Sequence, residues 1–339
     1  MEAKIPTFGS GIIPQQGAVA NELAAITRRA FLPKVYIQLW KSTPIMAALL
    51  SHAQVASGGL SPITVPLQGS PLVTIQNVGY DGSFNQPGVL PGIQNAEFNL
   101  KGYLTAIPFL GMEGLVQIDY AVVPLIEARM NDATNVTLDR FATDIFNNLN
   151  NNAAMIGLPG AIDDSTFLVT YGGVSRTANT FWKSTYVHNG APTNPTRNLM
   201  LQYIAQVTKV TGEIPKMGVM GFGTWTALAQ DFTSQERYTI TPTNAFGEGK
   251  VQALFRALDV AGVPFYADPY CPEGTLYLIN TDYLSAYIHE RAGFYFTGIE
   301  STLPNGQFGY VGALLTLLEL VDVKCKAHGK FDNLAFLNI

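Results

Sequence analysis

The sequence predicts an α+β protein in which one long helix separates a strand-rich N-terminal region from a mixed region of helices and strands. Three observations predict this class. The only long helical pattern occupies residues 117–152. A charge-poor stretch with strand-like alternation precedes it at residues 42–112, and short helical and strand patterns follow it before a strand-like final third. Helices and strands that are segregated along a chain are typical of the α+β class.

The chain carries little charge for its length. Asp, Glu, Lys and Arg make up 13% of its 339 residues, whereas ~25% is typical of a soluble domain. Hydrophobic residues make up 47%, which is ample for a large core. A monomer with so few charges would expose contiguous apolar patches, so we expect neighbouring subunits to cover much of the surface.

The charge balance and the cysteines exclude several functions. A net charge of −5 argues against phosphate binding through a basic face, so any contact with DNA should be weak and non-specific. Cys271 and Cys325 lie far apart without metal-ligand spacing, which predicts free, buried thiols in a reducing compartment. The N-terminus has no signal pattern, and Glu319 and Asp322 interrupt the longest apolar run, so we expect no membrane association.

The first 56 residues are predicted to form an extended arm. Residues 1–20 combine Gly and Pro in a polar setting, and short helical patterns follow at residues 21–30 and 34–50. The second pattern contains Trp40 and is broken by Pro44. An arm this apolar needs a partner surface, so Trp40 is predicted to contact another subunit.

A long β-hairpin is predicted next. Residues 42–112 contain three charged side chains but alternate β-branched and aromatic residues, a pattern that disordered segments avoid. Residues 80–94 form the turn-rich tip. A two-stranded hairpin is marginal in water, and no third strand is visible beside it, so it should lie against another chain. The predicted contact residues at the tip are Tyr80, Phe84, Val89 and Leu90.

The long helical pattern, called the spine helix below, places apolar residues at intervals of three and four along one face. Asp119 can cap its first turn, Pro124 kinks it or marks its true start, and the Asn-rich segment 147–152 ends it. The predicted buried face consists of Val122, Ile126, Met130, Phe141, Ile145 and Leu149.

A Gly and Pro hinge at residues 157–163 opens the mixed region. A helix is predicted at 194–210, capped near Asn194 or Thr196 and stopped at Gly212. The other predicted elements are a strand at 216–222, helices at 224–232 and 251–258, strands at 263–266 and 275–279, and a mostly strand-like segment at 283–339.

No catalytic, cofactor-binding or metal-ligating residue is predicted. The sequence contains neither G-x-S-x-G nor H-E-x-x-H, and its four histidines are scattered. Gly218, Gly221 and Gly223 form an incomplete glycine pattern that is more typical of tight turns than of nucleotide binding. Asp163 and Asp164 sit at the hinge, where a turn or cap is a more frequent role than a metal site. We therefore do not expect an enzyme.

The order of elements resembles that of the major capsid proteins of tailed bacteriophages, which have the Hong Kong 97-like fold. The resemblance depends on the spine helix with the GLPGAIDD turn at 157–164, the helix-strand-helix at 194–232, and DVAGVPFYADPYCPEGTLYLIN at 259–280. It covers nearly the whole chain as an order of elements with soft motifs, and it includes no catalytic signature.

The resemblance implies four regions. They are an N-terminal arm at 1–56, an extended loop at 57–110, a peripheral domain at 111–160 and 281–339, and a mixed α/β axial domain at 161–280. The C-terminal end of the chain is an alternative member of the axial domain. Some family members join subunits by a Lys to Asn isopeptide bond from the extended loop. Lys101, near the base of that loop, is the only Lys in residues 42–112, so this chemistry is not expected here.

The function implied is a structural protein that self-assembles as pentamers and hexamers into an icosahedral shell around double-stranded DNA. The expected location is the virion, with assembly in the host cytoplasm. Expected partners are other copies of the chain, a separate scaffolding protein and a portal, and a decoration protein is a further candidate. Two alternatives stay open: an encapsulin-like nanocompartment shell, and a phage tail or baseplate subunit.

Overall fold

The computed structural model describes residues 43–56, 62–69, 80, 92–110, 119–149, 153–232, 257–302 and 309–338. The α-helices of these residues are α1 (Pro44–Ser51), α2 (Asp119–Asn147), α3 (Leu158–Ala161), α4 (Arg197–Thr211) and α5 (Phe222–Asp231). Their strands are β1 (Gln54–Ala56), β2 (Ile63–Gln68), β3 (Ile93–Phe98), β4 (Lys101–Leu110), β5 (Thr170–Tyr171), β6 (Val174–Ser175), β7 (Thr185–Thr193), β8 (Met217–Met220), β9 (Leu258–Val260), β10 (Val263–Ala267), β11 (Leu276–Ile279), β12 (Leu284–His289), β13 (Tyr295–Ser301), β14 (Gly309–Asp322) and β15 (Gly329–Leu334). The α+β class predicted from the sequence is confirmed.

The chain divides into two compact units. The described part of the first unit falls within Tyr103–Thr137 and Phe294–Thr316. The second unit comprises Leu39–Gly102, Leu138–Gly293 and Leu317–Ile339. The four region boundaries expected from the resemblance stay predictions.

In the first unit, β13 pairs antiparallel with the first part of β14. Phe296 lies opposite Leu314, and Ser301 lies opposite Tyr310. A bulge between Phe296 and Ile299 shifts the register. An extra residue in one strand bends the strand and increases its twist, so this bulge sets the local curvature of the pair.

In the second unit, a six-stranded sheet has the order β7-β15-β11-β8-β10-β9. Every residue of β8 is buried, and β8 pairs parallel with β10 and antiparallel with β11. The Tyr203 ring of α4 stacks on Phe331 of β15 with the ring centroids 4.0 Å apart. The core therefore lies between this sheet and its covering helices, and β15 brings the C-terminal part of the chain into the same sheet as β8, β10 and β11.

The ends of α4 follow the sequence prediction. The Thr196 hydroxyl accepts a hydrogen bond from the Leu199 amide at 3.3 Å, which satisfies one of the free amides of the first turn. Gly212 ends the helix with a φ of 75°, a conformation that favours glycine. The expected cap at Thr196 and stop at Gly212 are confirmed.

A second set of pairings in this unit involves β12. Val55 of β1 lies parallel to Ile288, and Ala286 lies opposite Leu320 in the last part of β14. The strand-like character expected for the final third is confirmed by β12 to β15. The predicted helix at 251–258 is wrong at Leu258, because this residue begins β9 and pairs with Phe265; residues 251–256 lie outside the described part of the chain.

The predicted hairpin is present at its base. β2 and β3 pair antiparallel from Ile63 opposite Phe98 to Gln68 opposite Ile93. The predicted tip of 80–94 is therefore too long, since Ile93 and Gln94 belong to β3, where cross-strand hydrogen bonds extend the ladder. The remaining tip residues, except Tyr80, lie outside the described residues.

The spine helix is α2, which has 29 residues and a length of about 43 Å. It is shorter than the predicted 117–152. Its last turn ends because the Asn148 side chain turns to the backbone and donates a hydrogen bond to Met155 O. The Gly157 amide then donates to Asn148 O at 2.9 Å. A Cβ on Gly157 would lie 2.3 Å from Asp144 O, so only glycine lets the hinge approach the end of the helix this closely.

We predict that Phe141→Asp destabilises the unassembled subunit by roughly 3 to 5 kcal/mol, because it replaces a buried ring by a charge in the core. The Phe141 side chain is 1% exposed. Thermal unfolding and the soluble fraction of the expressed protein measure the effect. Val136→Asp on the same helix is the matched control, since Val136 is 54% exposed and should tolerate the charge. Equal soluble yields from the two variants would contradict the assignment of the buried face.

Candidate functional site

The residues predicted to contact other subunits are distributed unevenly over the described part of the chain. Trp40, Phe84, Val89 and Leu90 lie outside the described residues. Tyr80 is described and is fully exposed. The contacts predicted for the tip with another subunit stay a prediction.

The predicted buried face of the spine helix can be examined over its last part. Met130, Phe141 and Ile145 are 3%, 1% and 2% exposed. Val122 and Ile126 lie in α2, but their side chains fall outside the description. The prediction is wrong for Leu149, which is half-buried and lies beyond the end of the helix, because Asn148 has already taken the chain out of helical geometry.

The first unit carries an open groove of about 950 Å³. Its walls come from β4, α2 and the paired segments of β13 and β14. Arg129 lies at one wall, where it donates a hydrogen bond to Pro108 O at 2.7 Å and lies 5.4 Å from the Phe109 ring. The lining residues are Thr105, Ala106, Ile107, Pro108, Phe109, Arg129, Asp132, Ala133, Val136, Thr302, Gly309, Tyr310 and Val311.

Large apolar side chains are exposed at positions that sequence reasoning missed. Val55, Ile93, Leu104 and Val136 are 67%, 58%, 65% and 54% exposed. Leu104 points away from the buried Ile107 side of β4, as the period of two in a strand requires. The alternation in β4 was visible in the sequence, but which face would be covered was not.

The hinge of the second unit is organised by a buried arginine. Arg176 is 0% exposed, and its guanidinium donates to four backbone carbonyl oxygens. The Asp163 carboxylate lies 3.7 Å from it and is equally buried. The four acceptors are Gly160, Ala161, Leu168 and Trp182. Charge-assisted hydrogen bonds offset the loss of hydration of a buried guanidinium, so this arrangement holds the hinge together.

Asp163 also shapes the turn that follows the hinge. Its Oδ2 accepts hydrogen bonds from the amides of Ser165, Phe167 and Leu168 at 3.1, 3.1 and 2.8 Å. Asp164 accepts in the same way from the Thr166 amide at 3.0 Å. The turn-forming role predicted for the two aspartates is confirmed.

A second buried polar contact lies near the end of β14. His328 Nδ1 accepts a hydrogen bond from the Asn280 amide at 3.2 Å, so its proton sits on Nε2. That nitrogen lies 3.3 Å from Asp322 Oδ1. The Asp322 amide donates to the Tyr171 hydroxyl at 3.0 Å, and burial raises the pKa of Tyr171 well above its usual value. With Arg176 beside Tyr171, these contacts form one buried polar cluster.

The buried polar cluster holds its side chains away from solvent. Cys271 and Cys325 are free and buried, as predicted, and burial raises the pKa of both thiols. Among the described residues, no three His, Cys, Asp or Glu side chains come together as a metal site. None of the described helices is long and apolar enough to cross a membrane.

Solved structures share this architecture. A chain of the Cyanophage A-1(L) capsid matches with a TM-score of 0.65 at 14% identity, covering 87% of this chain and 93% of that chain. The capsid of a native GTA particle matches with a TM-score of 0.56 at 11% identity, covering 85% and 90%. The protein has a capsid fold. The holo-SrpI encapsulin of Synechococcus elongatus is also similar, with a TM-score of 0.50 at 11% identity over 73% and 79% of the two chains. No family model and no curated protein matches the chain.

Within this capsid fold, Glu319 is a buried acid three residues before the end of β14. Its Oε1 accepts a hydrogen bond from the Ile156 amide at 2.9 Å, which ties β14 to the segment before the hinge. Its Oε2 has no hydrogen-bond partner in the described part of the chain. Burial raises the pKa of Glu319 to about 8, and the Ile156 hydrogen bond only partly opposes this shift.

We predict that Glu319→Gln stabilises the subunit at pH 8 by on the order of a few kcal/mol and much less at pH 5. The unfolded chain loses the Glu319 proton near its usual pKa of about 4.3, whereas the folded chain keeps it up to about pH 8. The stability of the native protein therefore falls as the pH rises through this window, and glutamine removes that fall.

Thermal unfolding of the unassembled subunit between pH 5 and pH 9 measures this effect. Glu290→Gln, at an exposed position, is the control and should follow the native curve. Parallel curves for native protein and Glu319→Gln would show that the buried carboxyl keeps its ordinary pKa.

Proposed function

We propose that the chain is the major capsid protein of a tailed phage, which self-assembles as pentamers and hexamers into an icosahedral shell around double-stranded DNA. The observation that carries the proposal is the fold shared with the Cyanophage A-1(L) capsid chain over 87% of this chain. A subunit of such a shell is a structural protein, and the proposal includes no enzymatic activity.

The surface chemistry supports assembly. With 13% charged residues, the chain has few side chains that keep a surface hydrated. Exposed apolar side chains do not stabilise a monomer in water, and this chain exposes Val55, Ile93, Leu104 and Val136. Burying the exposed part of each against a neighbouring copy contributes roughly 1 to 2 kcal/mol before the cost of association. Contacts of this size are enough to decide whether weak interfaces close a shell.

The hairpin supports the same function. β2 and β3 pair only with each other in the described sheets. An isolated pair of strands is marginal in water, so the part of the hairpin beyond its base needs a covering surface. A neighbouring copy of the chain supplies that surface in the proposed shell.

The remaining partners follow from the proposal. A separate scaffolding protein and a portal guide assembly, and a decoration protein is a further candidate. The shell contacts its DNA weakly and without sequence preference, because a net charge of −5 disfavours a large number of phosphate contacts. The proposed location is the virion, with assembly in the host cytoplasm.

An encapsulin-like shell is the second candidate, favoured by the similarity to the holo-SrpI encapsulin over 79% of that chain. The two functions differ in what the shell encloses. Nuclease-resistant DNA inside particles from infected cells supports the phage capsid, and a protein cargo without DNA supports the nanocompartment.

The hairpin provides the test of the assembly proposal. Gly69 and Gly92 face each other, with the Gly69 amide 3.0 Å from Gly92 O. Replacing residues 70–91 by Asn-Gly would close the hairpin with a two-residue turn that matches the twist of the strands. We predict a folded subunit with nearly native thermal unfolding that no longer forms closed particles, because its contacts with neighbours are lost.

Thermal unfolding and particle yield are measured on the same preparation. A full-length variant with Phe84, Val89 and Leu90 changed to Ser separates the loss of apolar contacts from the loss of length, and it should also lower the particle yield. Normal particles from the shortened chain would refute the assembly role of the hairpin. Unfolding of the shortened subunit would show instead that the hairpin belongs to the core of its own chain.

A further inference from the structure

The base of the hairpin rests on a surface of its own chain. This surface, called the platform below, consists of Tyr171, Gly172, Asn179 and Phe181. The Glu97 amide of β3 donates a hydrogen bond to Gly172 O at 2.9 Å.

Two side-chain contacts flank that hydrogen bond. The Phe98 ring packs edge-on against Tyr171 with the ring centroids 4.9 Å apart. The Gln94 side chain donates to Asn179 Oδ1 at 3.3 Å. The platform therefore meets β3 at three points spread over five residues.

The hairpin and the platform pack so closely that the glycines between them leave no space for a Cβ atom. Gly172 has a φ of 56°, and a Cβ on it would lie 2.6 Å from Phe98 Cζ and 3.1 Å from Ala96 Cβ. On the other strand, a Cβ on Gly69 would lie 2.1 Å from a ring carbon of Phe181. Phe98 and Ala96 are 3% and 0% exposed, so this part of the hairpin is buried within its own subunit. The sequence prediction placed the hairpin wholly against another chain, which is wrong for its base.

The platform itself is held by the buried polar cluster. The Arg176 amide donates to Val169 O at 2.8 Å, and its guanidinium lies 4.9 Å from the Tyr171 ring. The Trp182 indole donates to Tyr171 O at 3.0 Å. Backbone segments on both sides of the platform are thus tied to the core of the second unit, and these contacts oppose an independent rotation of the platform.

We propose that the platform fixes the direction in which the hairpin leaves its subunit, and that this direction sets the geometry with which one subunit meets the next. This inference rests on the proposed shell function. From Phe98 to Gly92 the paired strands extend about 20 Å, so a 10° rotation at the base moves the far end of the pair by about 3 Å. A shift of this size is enough to mismatch a packed interface. Gly172 is a positioning residue in this arrangement.

Two adjacent glycines provide a matched test. Gly172 and Gly173 both have positive φ, 56° and 75°, so Ala strains the backbone at either position. A Cβ on Gly173 meets nothing within 4 Å, whereas a Cβ on Gly172 collides with Phe98. The difference between Gly172→Ala and Gly173→Ala therefore isolates the contact between hairpin and platform.

The first readout is hydrogen exchange of the Glu97 amide in the unassembled subunit, which does not depend on shell formation. Gly172→Ala should speed this exchange at least tenfold over Gly173→Ala. The second readout is the distribution of particle diameters by electron microscopy. Gly172→Ala should give a broadened distribution or open sheets, and Gly173→Ala should give particles of native diameter.

The outcomes separate the two proposals. Absence of particles from the native chain with its expected scaffold would overturn the shell function and this inference with it. Native particles together with identical diameters for both glycine variants would overturn the positioning role alone. Equal Glu97 exchange in both variants would also overturn it.

If Gly172→Ala fails to fold, Gln94→Ala tests the positioning role of the platform instead. This change removes the hydrogen bond to Asn179 at an exposed position. It should broaden the particle diameters, while Gln202→Ala on the exposed side of α4 should not. Unchanged diameters for Gln94→Ala would then refute the role of the platform.

Discussion

Four carbonyl oxygens converge on the buried guanidinium of Arg176, and the local structure around the hinge depends on that contact. An isolated charge at a fully buried position would cost many kcal/mol, so the carbonyls and Asp163 are held where the guanidinium needs them. The acceptors come from α3, from the turn after it and from Trp182. One side chain thereby fixes segments that have little regular secondary structure of their own.

Several of the few charged side chains of this protein are buried. The sequence contains 20 Lys and Arg and 25 Asp and Glu, and several of them lie inside the subunit. Asp163, Arg176 and Asp322 are 0% exposed, and Glu319 is 1% exposed. The surface is therefore even poorer in charge than the composition indicates. Polar contacts fix the interior, while large apolar side chains such as Val55 and Leu104 stay exposed on the surface of the subunit.

Local signals in the sequence predicted the elements that local chemistry decides. The cap at Thr196 and the stop at Gly212 follow from side-chain and backbone preferences within a few residues. The buried stripe around Phe141 follows from helical periodicity. Leu149 fitted the same periodicity, but the helix ends first because the Asn148 side chain bonds to Met155, a contact that periodicity does not encode.

The contacts of the buried polar cluster and of the hairpin base could not be predicted, because they join residues that are distant in the sequence. From the sequence, Glu319 and Asp322 were interpreted only as interruptions of an apolar run. The structure shows their partners, which are the Ile156 amide and His328. The hairpin itself was predictable from alternation. The contact between the hairpin and Gly172 was not predictable, because the sequence does not distinguish a glycine that packs against a phenylalanine ring from a glycine in an ordinary turn.

We propose from these features that the subunit is internally fixed but externally incomplete, and that copies of it complete one another as a closed shell. Cryo-electron microscopy of the purified chain, expressed alone and with the scaffolding protein proposed for it, tests this claim most directly. We expect closed particles whose capsomers show fivefold and sixfold symmetry. A single population of folded monomers at high protein concentration under both conditions would contradict it.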